Sequence, residues 1–120
     1  MIAVFDTNIV IDALNGIAAA DTEYVRYERV LISRITWIET MVGAQGDEQR
    51  VRDFLARFFV AAPLDDATSE MSVQLRREYR LRLPDAMIWA TAHVQGAELV
   101  TRNTKDFDRS WPGIRIPYSL

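Results

Sequence analysis

A chain of 120 residues that is 49% hydrophobic carries enough apolar material for one domain with a real core. It contains no cysteine, which excludes a disulfide framework, a thiolate metal site and a cysteine nucleophile, and fits a reducing compartment. Its formal net charge of −3 argues against a protein that holds nucleic acid by bulk positive charge, although a local basic patch can survive an acidic average.

In chain order, Ile2 to Phe5 (IAVF) is a short unbroken apolar run, as expected of a strand covered on both faces. Thr7 to about Leu14 reads as a helix closed by Asn15-Gly16, and Val30 to Ser33 as a second strand. Ile35, Ile38, Met41 and Val42 then recur at helical spacing, as do Val51, Phe54, Leu55 and Phe58 in a following helix from Asp47. FVAAP is a third strand stopped by Pro63, and Ala67 to about Leu81 a helix with Met71, Leu75 and Tyr79 every four residues. Pro84 opens a helix that Gly96 ends, ELVT is a fourth strand, and IRI a short fifth. No repeat or flexible linker interrupts this alternation, so residues 1–120 are expected to form a single three-layer α/β domain, a short parallel sheet of four or five strands flanked by helices. No run approaches membrane-spanning length and the N-terminus lacks the zones of a signal peptide, so a soluble, cytoplasmic protein is expected.

In open α/β sheets, ligands bind at the carboxyl ends of the strands. Asp6 falls at that edge; Glu39 is expected in the first turn of the helix after the second strand, Asp85 in the first turn of the helix entered through Pro84, and Asp106 shortly after the fourth strand. Each has a structural explanation. Asp6 could be an N-cap, Thr36 to Glu39 matches a capping box, Asp85 suits the positive end of a helix dipole, and Asp106 could form a turn. Together these explanations weaken, because two carboxylates about 5 Å apart repel by roughly 3 kcal/mol at an effective dielectric of about 20, more than a cap returns. Such a cluster needs a cation or a shared proton. With oxygen ligands, no cysteine and one histidine, the fitting ion is hard and divalent, Mg²⁺ or Mn²⁺.

Four segments in order, FDTNIVID, ITWIETMVG, LPDAMIWATA and LVTRNTKDF, resemble the successive signatures of the PIN-domain ribonucleases, in particular the VapC-like toxins of toxin–antitoxin pairs. The resemblance places Asp6, Glu39, Asp85 and Asp106 on the family's acidic quartet, and Thr7, Thr101 and Asn103 on polar residues that orient the site. It implies endonucleolytic cleavage of RNA, leaving a 3′-hydroxyl and a 5′-phosphate. A phosphodiester repels nucleophiles, so its hydrolysis needs positive charge on the phosphate and an activated water. Asp6 and Asp85 are assigned as main direct metal ligands, Glu39 as ligand or water-orienting base, and Asp106 as a second-metal or supporting group, with the neighbouring Asp108 as its possible substitute. The resemblance also implies a small antitoxin that blocks the site with a basic side chain, and a homodimer.

Arg76, Arg77, Arg80 and Arg82 form the one basic cluster, either a solvated helix face or contacts to RNA phosphates; Arg102 and Lys105 are the fallback. His93 is assigned to packing or surface. Two further readings stay open: a catalytically inactive PIN-like binding module, and a phosphoacceptor receiver-like signalling domain. The second wants an adjacent acidic pair after the first strand and an Asp after the third, which FDTN and FVAAP do not supply.

Overall fold

In the computed structural model, which describes residues 1–120, the five strands β1 (Ile2–Phe5), β2 (Arg29–Ser33), β3 (Val60–Ala62), β4 (Glu98–Val100) and β5 (Ile114–Arg115) make one sheet. Its order is β3-β2-β1-β4-β5, and every neighbouring pair is parallel. The chain therefore winds outward from β1 through β2 to β3, then returns to build β4 and β5 on the other side of β1. That reversal leaves a crevice at the carboxyl ends of β1 and β4, the position where such sheets bind ligands.

Six helices cover the sheet: α1 (Thr7–Leu14), α2 (Ala18–Tyr24), α3 (Arg34–Val42), α4 (Glu48–Phe58), α5 (Asp66–Tyr79) and α6 (Leu83–Gln95). Strand side chains alternate between the two faces. Ala3 and Phe5 of β1, Val30 and Ile32 of β2, and Val100 of β4 pack with Ile9, Val10, Ala20, Val51 and Leu55 from α1, α2 and α4. Val4, Leu31 and Leu99 face the other way, onto Leu75 of α5 and Ala86, Ile88 and Trp89 of α6. Buried on both faces, these strands have no polar side to display, which is why they appear in sequence as continuous apolar runs. No helix is long and apolar enough to cross a membrane.

Three local features depart from the sequence reading. Helix α2 was not expected: it has seven residues, its N-cap Ile17 makes no side-chain cap bond, and its buried face includes the charged Glu23. That carboxylate is buried because Arg115 and Tyr27 satisfy it, and a charge on the inner face erases the apolar period that announces a helix. Helix α3 starts at Arg34, capped by the Ser33 hydroxyl, which accepts from the Ile35 N–H. The Thr36–Glu39 capping box therefore does not form, and Glu39 lies in the second turn of α3 rather than its first. Helix α5 stops at Tyr79 because Arg80 adopts the left-handed conformation, φ 56° and ψ 35°, a helix-ending geometry that usually recruits glycine.

Candidate active site

The site begins where β1 stops. Asp6 is the N-cap of α1, its Oδ1 accepting from the Thr7 N–H at 2.7 Å. Its Oδ2 accepts from the Thr101 hydroxyl at 2.7 Å and from Asn8 Nδ2 at 3.3 Å. A cap ordinarily sits in water, but Asp6 is only 4% exposed. Burial pushes its pKa up to about 6; the bonds from Thr101 and Thr7 oppose that rise, and the nearby carboxylates of Asp85 and Glu39 add to it. The cap reading of Asp6 is thus true and insufficient, since an uncharged Ser or Asn caps a helix equally well without the cost of burying a charge.

Asp85 stands in the first turn of α6, 8% exposed, and its pKa is raised chiefly by burial and then by the charge of Asp106. Its Oδ2 is a buried oxygen with no hydrogen-bond partner. Arg82 Nε stands 3.5 Å away, close enough for charge attraction and too long for a good hydrogen bond. Arg82 also reaches Asp106 Oδ2 at 3.1 Å. Asp106 is held in a turn by Asn103, which donates from Nδ2 at 2.9 Å and receives the Asp106 N–H at 3.2 Å. The bond from Asn103 and the charge of Arg82 hold the Asp106 carboxyl below its usual range.

Glu39 is exposed and fixed by Thr7, whose hydroxyl donates to Oε1 at 2.7 Å. A hydroxyl has one proton, so in the 3.0 Å contact between Thr7 and Thr36 the buried Thr36 is the donor. Thr101 Oγ1, fully buried, receives the Asn103 N–H at 2.9 Å while donating to Asp6. The three polar residues singled out in the sequence thus each bind a different carboxylate: Thr7 to Glu39, Thr101 to Asp6 and Asn103 to Asp106. Asp108 instead accepts from the backbone and hydroxyl of Ser110 and is exposed.

The basic residues divide. Of the four in the cluster, Arg82 touches the carboxylates, while Arg76 donates to the Leu81 carbonyl at 2.6 Å and closes the end of α5. Arg77 and Arg80 are exposed, as is Lys105. Arg102 is half-buried and pairs with Asp12 through two hydrogen bonds, of 2.6 and 3.0 Å. His93 lies on Trp89, ring centroids 5.1 Å apart, and burial lowers its pKa.

No three acidic or histidine side chains are arranged as a finished metal cage. The donor set nonetheless fits a hard divalent cation: every candidate ligand is a carboxylate oxygen, two of the carboxyls are buried with raised pKa values, and one buried oxygen lacks a partner. Sequence reasoning passed over Asn8 and Asp12. Asn8 Oδ1 accepts the Arg102 N–H at 3.1 Å, and Asp12 is a buried carboxylate on α1. Asp12 had left a signal, as the lone polar residue in the otherwise apolar IVIDAL.

The family model of the PIN domain matches residues 3–110. Among solved structures, the chain is similar to a toxin–antitoxin complex from Klebsiella pneumoniae, with 45% identity, TM-score 0.91, and coverage of 98% of this chain and 99% of that one. It is also similar to DNA-bound VapBC from Salmonella typhimurium, with 25% identity, TM-score 0.76 and 96% of each chain covered. FitAcB from Neisseria gonorrhoeae shares the fold at 20% identity, TM-score 0.76, over 100% of both chains. Comparison with curated protein sequences returned no match.

Proposed function

Since the chain belongs to the PIN-domain family, we propose that it is a Mg²⁺- or Mn²⁺-dependent endoribonuclease and the toxin of a toxin–antitoxin pair. The observation that carries the chemistry is the buried pair of Asp6, with its pKa pushed up to about 6, and Asp85, with its unpartnered Oδ2. A fold stores such an unfavourable arrangement where function uses it.

Asp6 and Asp85 would hold the ion, with Glu39 and Asp106 completing the acidic set. When bound, a divalent ion neutralises charge on the scissile phosphate and makes water a stronger nucleophile near neutral pH. Thr101 fixes one oxygen of Asp6 and Asn103 one oxygen of Asp106, so neither carboxyl has to be reoriented when an ion arrives. Glu39, solvent-exposed and steadied by Thr7, would accept a proton from the attacking water. No side chain forms a covalent intermediate. Arg82, already among the carboxylates, contacts an RNA phosphate next to the cleaved bond.

The partner reading is supported by the Klebsiella pneumoniae relative, solved as a toxin–antitoxin complex and 45% identical. An antitoxin that places a cation among Asp6, Asp85 and Asp106 would offset their mutual repulsion and occupy the metal's place. Self-association as a homodimer belongs to the same reading. The test is RNA cleavage with Mg²⁺ and with EDTA. Cleavage in Mg²⁺ that yields 3′-hydroxyl and 5′-phosphate ends and stops in EDTA is expected, and cleavage unaffected by EDTA would overturn the proposal.

A further inference from the structure

Two junctions in this fold share one design. In each, a buried carboxylate on a helix receives two parallel bonds from an arginine and one from a tyrosine hydroxyl. Glu23 of α2, 3% exposed, binds Arg115 Nε and a terminal nitrogen at 2.6 and 3.1 Å and the Tyr27 hydroxyl at 3.0 Å. Asp12 of α1, 6% exposed, binds Arg102 at 2.6 and 3.0 Å and the Tyr118 hydroxyl at 2.7 Å. Bidentate arginine–carboxylate geometry fixes both position and angle of what it joins. The two differ in what they join. Glu23 ties α2 to β5, and from there the link to the carboxylate site is a ladder bond between strands, the Thr101 N–H to the Arg115 carbonyl at 3.0 Å, with no side-chain bond.

Asp12 does touch the site, through its arginine. It lies on the helix that Asp6 caps, and Arg102 lies in the loop between Thr101 and Asn103. The Arg102 backbone N–H meets Asn8 Oδ1, and Asn8 Nδ2 meets both Asp6 Oδ2 and Thr101 Oγ1, at 3.3 and 3.4 Å. The helix and the loop are thus fastened at two levels, by Asn8 beside the site and by Asp12 one turn further along α1. Tyr118, from the segment after β5, closes the second fastening.

We propose that Asp12, Arg102 and Tyr118 are positioning residues for the carboxylate site, holding the loop that carries Thr101, Asn103 and Asp106 at a fixed distance from Asp6. The proposal rests on the metal-dependent reading above. None of the three touches metal or RNA. They act by keeping the hydroxyl of Thr101 on Asp6 and the Asn103–Asp106 turn in place, and so keep the acidic set preorganised.

The Glu23 junction supplies an internal control of matched chemistry. The test compares Asp12→Asn, Tyr118→Phe and Glu23→Gln in the full chain by Mn²⁺ affinity, from the paramagnetic resonance signal of free Mn²⁺, and by kcat and KM for RNA. Exchange of the Asn103 and Asp106 amide hydrogens is followed in the same proteins. Asp12→Asn should weaken Mn²⁺ binding and lower kcat about tenfold, within the range of about 10- to 100-fold seen when groups supporting metal ligands are removed, with KM little changed. Both amides should exchange faster. Tyr118→Phe, which deletes one hydroxyl, should do the same by a few-fold and carries the test if Asp12→Asn does not fold. Glu23→Gln should lower the melting temperature while leaving Mn²⁺ affinity and kcat unchanged. Equal loss of Mn²⁺ affinity in the Asp12 and Glu23 variants, or unchanged affinity and kcat in Tyr118→Phe, would overturn the proposal. Failure of the unsubstituted protein to bind Mn²⁺ would instead defeat the proposed function, and the amide exchange would still show whether the junction holds the loop.

Discussion

The hydroxyl of Thr101 donates to Oδ2 of Asp6 at 2.7 Å, joining two residues 95 positions apart where β1 and β4 both end. The same hydroxyl oxygen accepts the Asn103 N–H, so one buried side chain couples the first carboxylate of the site to the loop that bears the last. Thr101→Val keeps the shape and removes both interactions. It should destabilise the fold by about 1–3 kcal/mol, the cost of leaving buried polar groups unpaired, and lower cleavage at least tenfold. Thr101→Ser should recover most of the activity. Melting temperature and cleavage rate measured together check this, and a Val variant with full activity would show that Asp6 needs no orienting partner.

Glu39 separates from the cap assignment by its position. Ser33, not Thr36, caps α3, so Glu39→Gln disturbs no cap and still offers an oxygen to the Thr7 hydroxyl. Stability should be unchanged, while cleavage should fall by about 10²-fold or more if the carboxylate takes up a proton in the reaction. A Gln variant as active as the parent would remove Glu39 from the chemistry.

Arg77 and Arg80 are the two members of the basic cluster whose side chains have no partner on the site or on the backbone, so a salt-dependence test falls on them. Replacing Arg77 by Ala and Arg80 by Gly should flatten the plot of log affinity for RNA against log salt by about 0.7 for each phosphate that is no longer neutralised. The glycine also suits the left-handed backbone at φ 56°, so the variant should melt no lower than the parent. An unchanged slope would identify these arginines as a solvated helix face.

The buried Glu23 gives a pH dependence of stability that is separate from the site. Burial raises its pKa, but the bonds from Arg115 and Tyr27 and the charges of Arg115 and Arg26 outweigh that, and the carboxyl lies below its ordinary value of 4.5. A depressed folded-state pKa means that the contribution is present above the unfolded value and is lost as pH falls through the folded one. Glu23→Gln should therefore lower stability at neutral pH and flatten its decline below about pH 4.5, the ordinary value. Denaturant unfolding at several pH values measures it, and parallel curves for parent and variant would contradict it.

What was legible in the sequence follows the physics of each signal. The apolar strands and the parallel sheet were readable because a strand buried on both faces shows as a continuous run. Asp6 and Asp106 were readable because each follows such a run, and Asp85 because Pro84 marks the start of the helix whose first turn holds it. Helix α2 was not, since its inner face holds Glu23 and its period is broken by the charge. The pairing of Arg102 was not either: nothing near it in the sequence points to Asp12, 90 positions away, which receives its guanidinium. Pairings over that range leave no periodic trace in one sequence. The switch from Thr36 to Ser33 as the cap of α3 is a one-turn boundary shift, the least determined property of any helix.

On the proposed function, Asp6 and Asp85 are buried charges kept for a divalent cation. Holding Asp6 ionised against a pKa of about 6, when its ordinary value is 3.8, costs on the order of 3 kcal/mol at about 1.4 kcal/mol per pH unit. Asn has nearly the same shape and no charge. The direct measurement is Mg²⁺-dependent RNA cleavage by Asp6→Asn and Asp85→Asn alongside their melting temperatures in EDTA. Cleavage should vanish in both, while each variant melts at the same temperature as the parent or higher, because repulsion and charge burial have been relieved. Full cleavage by both variants would contradict this role, and so would loss of cleavage accompanied by a collapse in melting temperature, which would make these carboxylates supports of the fold.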